Sequence, residues 1–296
     1  MTPAFRDSAA ASCYVFCAPK SPHFASPLSS GAPPQVIFPA DADPGLMILD
    51  ATGEVVWFKP LPGRHEIPFN FRVQSYDGRP VLTWFQGRVT EAHGEGHYVL
   101  ADSTYRPFAT VRSTGHPADL HEFLLTPYGT ALHTAYETRV RSGRAPLLIG
   151  HAQEVDVATN RLLFDWSCFP RVPTGLSYVN DYGRYYDYFH INSIDLWPGR
   201  AHDQLISARN TSAVYLIDRK TSRVRWTLGG KRSDFQLANA ARFYFQHDAR
   251  ALPDRSGISL FDDASRPSPE RFASGKVIDL DLGSRTGVLR QRFIHT

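Results

Sequence analysis

The segments MILDATGEVVWF (47–58), EVDVATNRLLFDW (154–166) and YLIDRKTSRVRW (215–226) repeat one pattern. Each is a strand-like run containing an aspartate, then a short polar turn, then a second strand-like run with an aromatic residue. Looser copies occur at 98–111 and 277–289. The aspartates that open the turns are 52, 54, 62 and 63 residues apart: Asp50, Asp102, Asp156, Asp218 and Asp281. A repeat of this length is typical of stacked or radial repeat architectures.

A second pattern of two strand-like runs precedes most of these copies. It reads FRVQSYDGRPVLTWF (71–85), HEFLLTPYGTALHTAY (121–136), HINSIDLWPGRAHDQLISARN (190–210) and HDARALPDRSGISLF (247–261). The two patterns together give four strands in each repeat of roughly 50 to 60 residues, which is typical of propeller blades. An all-β sandwich also has many short strands, but it does not explain five spaced copies. The sequence therefore predicts an all-β chain with a β-propeller fold.

The composition argues against two classes of function, nucleic-acid binding and membrane spanning. The formal net charge is only +3, and no run concentrates Lys and Arg, so we expect no nucleic-acid partner. We expect no membrane span, because the sequence has no apolar run of 18 residues. Residues 1–34 are rich in Ala, Ser and Pro and read as a disordered or extended leader without a visible signal peptide, which leaves the localisation open.

Counting strands predicts a single propeller domain over 35–296 that is C-terminally incomplete. The first copy has only its outer two strands, at 46–58, and four complete repeats follow, ending near Phe293. About four and a half blades are therefore expected.

Histidines recur where the inner strand of a repeat is predicted to begin. They are His121 in DLHEF, His190 in DYFHINS and His247 in FQHDAR, and Arg209 ends the second strand of the His190 repeat. The inner strands of a propeller line its central channel, so these side chains are expected to converge there. Neutral imidazole is a nucleophile near physiological pH, and the recurrence favours a functional role over a structural one.

Around these residues the sequence resembles the arylsulfotransferase (ASST) family, most closely its fungal branch. The resemblance runs from about Leu46 to Phe261 and rests on the strings NFRVQSYDG, LTWFQG, DLHEF, QEVDV, FHINSID, LISARNTSAVYLIDR, WTLGG and QHDAR. It implies a six-bladed propeller that moves a sulfuryl group from a small aryl sulfate to a phenol, without a nucleotide sulfate donor or other cofactor. The family also implies a secreted or extracytoplasmic protein, although no secretory start is visible here.

The resemblance also implies the roles of the site residues. The family's nucleophilic histidine, which becomes sulfated, falls on His247, and its other channel residues fall on His121, His190 and Arg209. Sulfuryl transfer should resemble phosphoryl transfer, with charge spread over equatorial oxygens that a cation and hydrogen-bond donors stabilise.

Four further residues are candidates for binding the substrate. Trp84, Tyr188 and Phe245 could form an aromatic wall for a phenol, and Asn192 lies in the same string as His190. Packing between blades is an equally good explanation of the aromatic residues.

We expect no metal site. EAHGEGH (91–97) has two histidines four residues apart, but its two glycines argue against the helix that would align them, so a blade loop is predicted. His133 and His151 fall on outer strands and are interpreted as structural.

Two other classes of function remain open. One is a catalytically inactive propeller that serves as a binding or scaffold module. The other is a different channel chemistry, quinoprotein-like or hydrolytic, which would need a cofactor-sized cavity or a metal. The oligomeric state and the identity of donor and acceptor are not predicted.

Overall fold

A computed structural model describes residues 14–18, 44–61, 66–90, 93–181, 183–200 and 202–294. Within these ranges the chain is all-β, as predicted, and its helical segments are two short 3₁₀ turns, Thr174–Leu176 and Asn239–Ala241. No helix in this part of the chain is long and apolar enough to cross a membrane. The contacts divide the chain into two compact units, residues 1–112 and 113–296. The single domain over 35–296 stays a prediction.

The first unit contains two antiparallel sheets. A three-stranded sheet has strands β1 Val15–Cys17, β2 Gly45–Leu49 and β3 Val55–Pro60. A four-stranded meander follows, with strands β4 Ile67–Tyr76, β5 Arg79–Thr90, β6 His93–Ala101 and β7 Pro107–Val111. The core of this unit includes Leu46, Phe71 and Trp84.

Within the predicted disordered or extended leader, Val15–Cys17 is a strand that pairs with Met47–Leu49. Most of the remaining leader lies outside the described residues. The EAHGEGH segment was predicted to be a loop, but from His93 onward it is strand β6, which pairs with β5 through the close approach of Gly87 and Gly96.

The second unit contains three consecutive antiparallel meanders of four strands. The first has β8 Ala118–Leu125, β9 Thr130–Arg139, β10 Leu147–Asp156 and β11 Leu162–Ser167, with β12 Tyr186–Asp187 pairing parallel to β10. The second has β13 Ile191–Leu196, β14 Gln204–Ala208, β15 Ala213–Ile217 and β16 Val224–Gly229. The third has β18 His247–Ala251, β19 Gly257–Asp262, β20 Ser274–Asp281 and β21 Thr286–Phe293, and β17 Gln236–Leu237 pairs parallel to β21.

The predicted aspartate turns are confirmed. Asp50 Oδ1 accepts hydrogen bonds from the Thr52 and Glu54 backbone N–H groups at 2.8 and 3.0 Å, and from the Thr52 hydroxyl at 2.7 Å. Similar Asx bonds occur at the other four aspartates of the repeat. These bonds favour the charged carboxylate and hold the pKa of Asp50 below its ordinary value.

The first strands of the three meanders in the second unit lie side by side. The Ala249 N–H donates to Ser193 Oγ at 2.9 Å, and the Ala251 N–H donates to Asp195 Oδ2 at 2.9 Å, which ties β18 to β13. On the other side of β13, the buried Glu122 of β8 accepts from the Ile194 N–H at 3.3 Å. Residues before and within these strands are therefore brought to one region.

Candidate active site

The three predicted histidines occupy different positions relative to their strands. His121 is the fourth residue of β8, His190 directly precedes β13, and His247 is the first residue of β18. Of the three, only His247 is the first residue of its strand, as predicted. Strand β8 begins at Ala118, so His121 lies inside it, in the stretch where its register with β9 is irregular.

His121 and His190 form a contacting pair. Their ring centroids are 4.6 Å apart and the rings meet edge to face, at 79°. His121 Nδ1 lies 2.6 Å from Asp119 Oδ2, and His190 Nδ1 lies 2.5 Å from Asp187 Oδ2. A carboxylate on Nδ1 fixes the proton there in the neutral ring, so the lone pair is on Nε2, and it also stabilises the imidazolium when a proton is gained.

The Asp119 carboxylate is fully buried and well held. Its Oδ2 also accepts from the His121 backbone N–H and from the Thr134 hydroxyl, both at 3.1 Å. His190 has a φ of 59°, a conformation that non-glycine residues adopt only when their surroundings support it. Part of that support is the Arg209 N–H, which donates to the His190 carbonyl at 2.9 Å.

A buried phenol lies near the pair. The hydroxyl of Tyr136 donates to the Ile191 carbonyl at 3.2 Å. Burial, and secondarily the charges of Asp187 and Asp119, raises the pKa of Tyr136 well above its ordinary value. Tyr136 therefore remains a neutral hydrogen-bond donor at physiological pH.

The second group of site residues is His247, Arg209 and Asp263. His247 Nδ1 lies 3.1 Å from Asp263 Oδ1, and Arg209 Nε lies 3.9 Å from Asp263 Oδ2. One carboxylate therefore bridges the imidazole and the guanidinium. The side chains of His247 and Arg209 are 36% and 32% exposed, so both are within reach of a ligand from solvent.

Arg209 is also oriented by two other neighbours. Its Nη1 donates to Asn210 Oδ1 at 3.0 Å, and its guanidinium carbon lies 4.9 Å from the centroid of the Phe245 ring. A guanidinium over an aromatic face is attracted by the ring quadrupole, so the ring restricts the position of the cation.

The structure thus places the four predicted catalytic residues in two groups. His121 pairs with His190, and His247 shares Asp263 with Arg209. The main-chain bond from Arg209 to His190 connects the groups through the backbone. The site has two carboxylate-supported imidazoles in contact, a third that is more exposed, and one cation.

The predicted substrate-binding residues have different environments. Phe245 is next to Arg209, as described above. Asn192 is 6% exposed and donates to the Gln246 carbonyl at 2.6 Å, which places it between β13 and the residue before His247. Tyr188 is fully buried, and its hydroxyl contacts Cys168 Sγ at 3.2 Å and the Val172 carbonyl at 3.1 Å.

Tyr188 therefore has the environment of a core residue, because no part of its ring reaches solvent. Trp84 belongs to the first unit, where it is 3% exposed and packs edge-on against Phe71 at 6.4 Å. Both residues pack in hydrophobic clusters, and the aromatic wall stays a prediction.

Sequence reasoning missed the three carboxylates that support the histidines. Asp119 and Asp187 lie two and three residues before their histidines, in DLH and DYFH, and this local spacing is a signal that could have found them. Asp263 comes 16 residues after His247 and reaches it only because β18 and β19 pair as a hairpin. That contact has no local sequence signal.

Sequence reasoning also missed an aromatic cavity in the second unit. Tyr178 lies 6.3 Å from Phe245 and 6.0 Å from Tyr244, centroid to centroid, and Lys231 Nζ is 5.0 Å from its ring centroid. Tyr178 and Tyr244 line a cavity of about 450 Å³, a volume in the range of small-molecule sites. Burial, and then the neighbouring Tyr244, raises the pKa of Tyr178.

Solved structures with a similar backbone are distant in sequence. A protein of unknown function from Bacteroides caccae has a TM-score of 0.52 and 11% identity, over 85% of this chain and 75% of that one. The hydrazine synthase of Kuenenia stuttgartiensis has a TM-score of 0.44 and 13% identity, over 84% of this chain and 60% of that one. At this identity the first similarity shows a shared fold and nothing about function. No curated protein matches the chain.

The family comparison is more specific. The family described as arylsulfotransferase (ASST) matches residues 72–295, which is well over half of the chain and includes both groups of site residues. The chain belongs to the arylsulfotransferase (ASST) family.

Proposed function

We propose that this chain is an aryl sulfotransferase that moves a sulfuryl group from an aryl sulfate to a phenol through a sulfated His247. The reaction class follows from the family. The observation that supports the assignment of the nucleophile is the bridge of Asp263 between His247 and Arg209. In this proposal the nucleophilic imidazole and the sulfate-binding cation share one carboxylate.

In the first step, the Nε2 lone pair of His247 attacks the sulfur of the donor. The N–S bond forms while the bond between sulfur and the aryl oxygen breaks. Asp263 on Nδ1 holds the ring in the tautomer that has its lone pair on Nε2, and it stabilises the positive charge that develops on the ring. The exposure of His247, the greatest of the three histidines, suits a group that must meet two different substrates in turn.

Arg209 acts on the charge of the sulfuryl oxygens. As in phosphoryl transfer, the negative charge spreads over the equatorial oxygens at the transition state, and a fixed cation stabilises it. The Phe245 ring and Asn210 keep the guanidinium in place before the substrate arrives, so little reorganisation is needed.

His121 and His190 transfer the proton between the protein and the two phenols. One of them, protonated and stabilised by its carboxylate, donates to the departing phenolate; phenols have a pKa of about 10, so this donation assists poor leaving groups most. In the second step the neutral imidazole takes the proton of the acceptor phenol. The phenol oxygen attacks sulfur, the N–S bond breaks, and the lone pair returns to His247.

The aromatic cavity beside Phe245 is our candidate for binding the aryl ring. Tyr178 and Tyr244 supply aromatic faces, and Lys231 adds a positive charge next to the Tyr178 ring. An aryl ring that packs against such faces gains from burial and stacking.

We extend the proposal to the architecture. In this proposal the four-stranded meanders are propeller blades. The chain corresponds to the six-bladed propeller of the family, and in particular of its fungal branch. The side-by-side first strands of the second unit support this reading.

The experiment measures sulfuryl transfer from 4-nitrophenyl sulfate to phenol. The transfer is monitored as release of 4-nitrophenolate, without any nucleotide or added cofactor. We expect release that depends on phenol, and loss of it in His247→Ala. His202→Ala is the control, since it removes a different partly exposed histidine that also lies near a carboxylate, 3.3 Å from Glu154. A folded wild-type chain that releases no nitrophenolate would instead support a binding or scaffold role.

A further inference from the structure

A second histidine cluster lies on one face of the first meander of the second unit. His116 precedes β8, Glu137 is on β9 and His151 is on β10. Glu137 pairs with Ile149, and His151 pairs with Ala135, so Glu137 and His151 are diagonal neighbours on the same face of the sheet. The proposed sulfuryl transfer uses none of these residues.

The three side chains present their ligand atoms to one another. A nitrogen of each histidine and an oxygen of Glu137 lie within 4.8 Å of one another, and the two imidazole centroids are 4.3 Å apart. His151 Nε2 lies 3.7 Å from Glu137 Oε2. That is too long for a hydrogen bond, but it is close to the separation of about 3.4 Å between two ligands of a tetrahedral Zn²⁺ ion at ordinary bond lengths.

His151 Nε2 is a buried nitrogen that the hydrogen bonds of the described residues do not satisfy. The side chain is only 6% exposed. Buried polar atoms are nearly always paired with protein, water or an ion, so this nitrogen calls for a ligand on the side that faces Glu137 and His116.

The other nitrogen of the same ring is already oriented. His151 Nδ1 lies 2.9 and 3.1 Å from the two carboxylate oxygens of Asp165, on the neighbouring strand β11. A carboxylate on one imidazole nitrogen, with a metal on the other, is the usual supporting arrangement for a metal-bound histidine, because it fixes the tautomer and raises the basicity of the ligand.

Glu137 is oriented in the same way. Its Oε1 accepts from Arg139 Nε at 2.9 Å and Nη2 at 2.8 Å, which leaves Oε2 as the oxygen that faces His151. The two carboxylates, Glu137 and Asp165, outweigh the one guanidinium, so the cluster is favourable for a cation.

The segment that carries His116 is fixed against the sheet. Gln153, two residues after His151 on the same face of β10, accepts from the Ser113 hydroxyl at 2.9 Å and from the Thr114 N–H at 3.1 Å. Its side-chain amide donates back to the Thr114 carbonyl at 2.9 Å. These three bonds hold His116 over the cluster instead of leaving it on a free loop.

From this geometry we propose that His116, Glu137 and His151 bind a divalent transition metal ion, with Zn²⁺ as the best fit. Two imidazoles and one carboxylate suit Zn²⁺ and its neighbours rather than Mg²⁺ or Ca²⁺, which prefer oxygen ligands. Three protein ligands leave one position for water. The ion ties the segment before β8 to strands β9 and β10, and it stabilises this meander independently of the sulfuryl-transfer site.

The test is calorimetric titration of the chelator-treated, tag-free chain with Zn²⁺, and titration with Co²⁺ as a visible-absorption probe of ligand geometry. We expect one ion per chain and a rise in the thermal unfolding midpoint when Zn²⁺ is added. His116→Ala and Glu137→Gln should weaken binding by about 100-fold or more, and Asp165→Asn, which removes only the supporting carboxylate charge, by about 10- to 100-fold.

The matched control is His202→Ala, which should bind Zn²⁺ as the wild type does. His116 is half-exposed, and Glu137→Gln keeps the shape of the side chain, so both variants are expected to fold; circular dichroism checks this. The proposal is wrong if the wild type binds no Zn²⁺, or if folded His116→Ala and Glu137→Gln bind it as tightly as the wild type.

Discussion

Replacing Asp263 with asparagine tests the arrangement on which the proposed nucleophile depends. The substitution keeps the shape of the side chain but removes its charge. In the structure, Asp263 Oδ1 lies 3.1 Å from His247 Nδ1, and Asp263 Oδ2 lies 3.9 Å from Arg209 Nε. A hydrogen bond to a charged group contributes about 1.5–3 kcal/mol. The Arg209 contact is longer and about one-third exposed, and such ion pairs contribute at most about 1 kcal/mol.

Loss of the charged hydrogen bond to His247 therefore accounts for most of the effect. We expect kcat for 4-nitrophenyl sulfate to fall by about 10- to 150-fold. KM should change by much less, because Asp263 does not bind the donor directly. Asp263→Glu should restore part of the rate, as a carboxylate that orients His247 predicts. If kcat stays within about twofold of the wild type in folded Asp263→Asn, Asp263 does not position the nucleophile.

Three further predictions concern the paired histidines and the core. His121→Ala or His190→Ala should slow transfer from phenyl sulfate more than from 4-nitrophenyl sulfate, because the poorer leaving group needs the proton more; equal effects on the two donors would contradict a proton-transfer role. Tyr188→Phe should lower the free energy of unfolding by about 1–3 kcal/mol, measured by urea denaturation, and leave the KM of donor and acceptor unchanged; a raised KM would show that Tyr188 contacts substrate after all. Full burial lowers the pKa of His133 to about 4, below the ordinary value near 6.5, so the neutral folded form should lose stability as the pH falls through this window, by about 3 kcal/mol between pH 7 and pH 4. The dependence should flatten below pH 4, and His133→Gln should remove this component; an unchanged pH slope in that variant would show that His133 is not its source.

The fold class could be predicted from the sequence because its signals are local. The aspartate turns are an example: Asp50 and Asp281 accept bonds from residues two to four positions away, so a short window contains the whole interaction. The strand alternation is equally local, as in β20, where buried and partly exposed residues alternate over Ser274–Asp281.

The site was predicted only in part because its contacts are set by pairing between strands. His121 and His190 meet although 69 residues separate them in the sequence, and the recurrence of histidine was enough to select both. The recurrence did not give the position of His121 within its strand, because β8 begins earlier, at Ala118, and its register with β9 is irregular around His121. A one-residue change of register alters which face a side chain occupies, and no local pattern reports it.

Residue type alone does not separate the environments of the predicted substrate contacts. Tyr188 and Phe245 are both aromatic and both precede the first strand of a four-stranded meander, yet one is enclosed in the core and the other lies under a guanidinium. The sequence interpretation of His151 as structural likewise gave no sign that its buried Nε2 would lie close to another histidine and a carboxylate. Burial and neighbours decide between these roles, and both depend on tertiary packing.

The most direct test of the proposed mechanism is to trap the intermediate. The chain is mixed with 4-nitrophenyl sulfate without an acceptor, quenched in alkali because an N-sulfated imidazole is acid-labile, and digested for peptide mass spectrometry. We predict one sulfuryl group on the peptide that contains His247, formed in step with a stoichiometric burst of nitrophenolate and discharged when phenol is added. Phenol-dependent transfer without any adduct on His247, or an adduct that persists in His247→Ala, would contradict the proposed nucleophile.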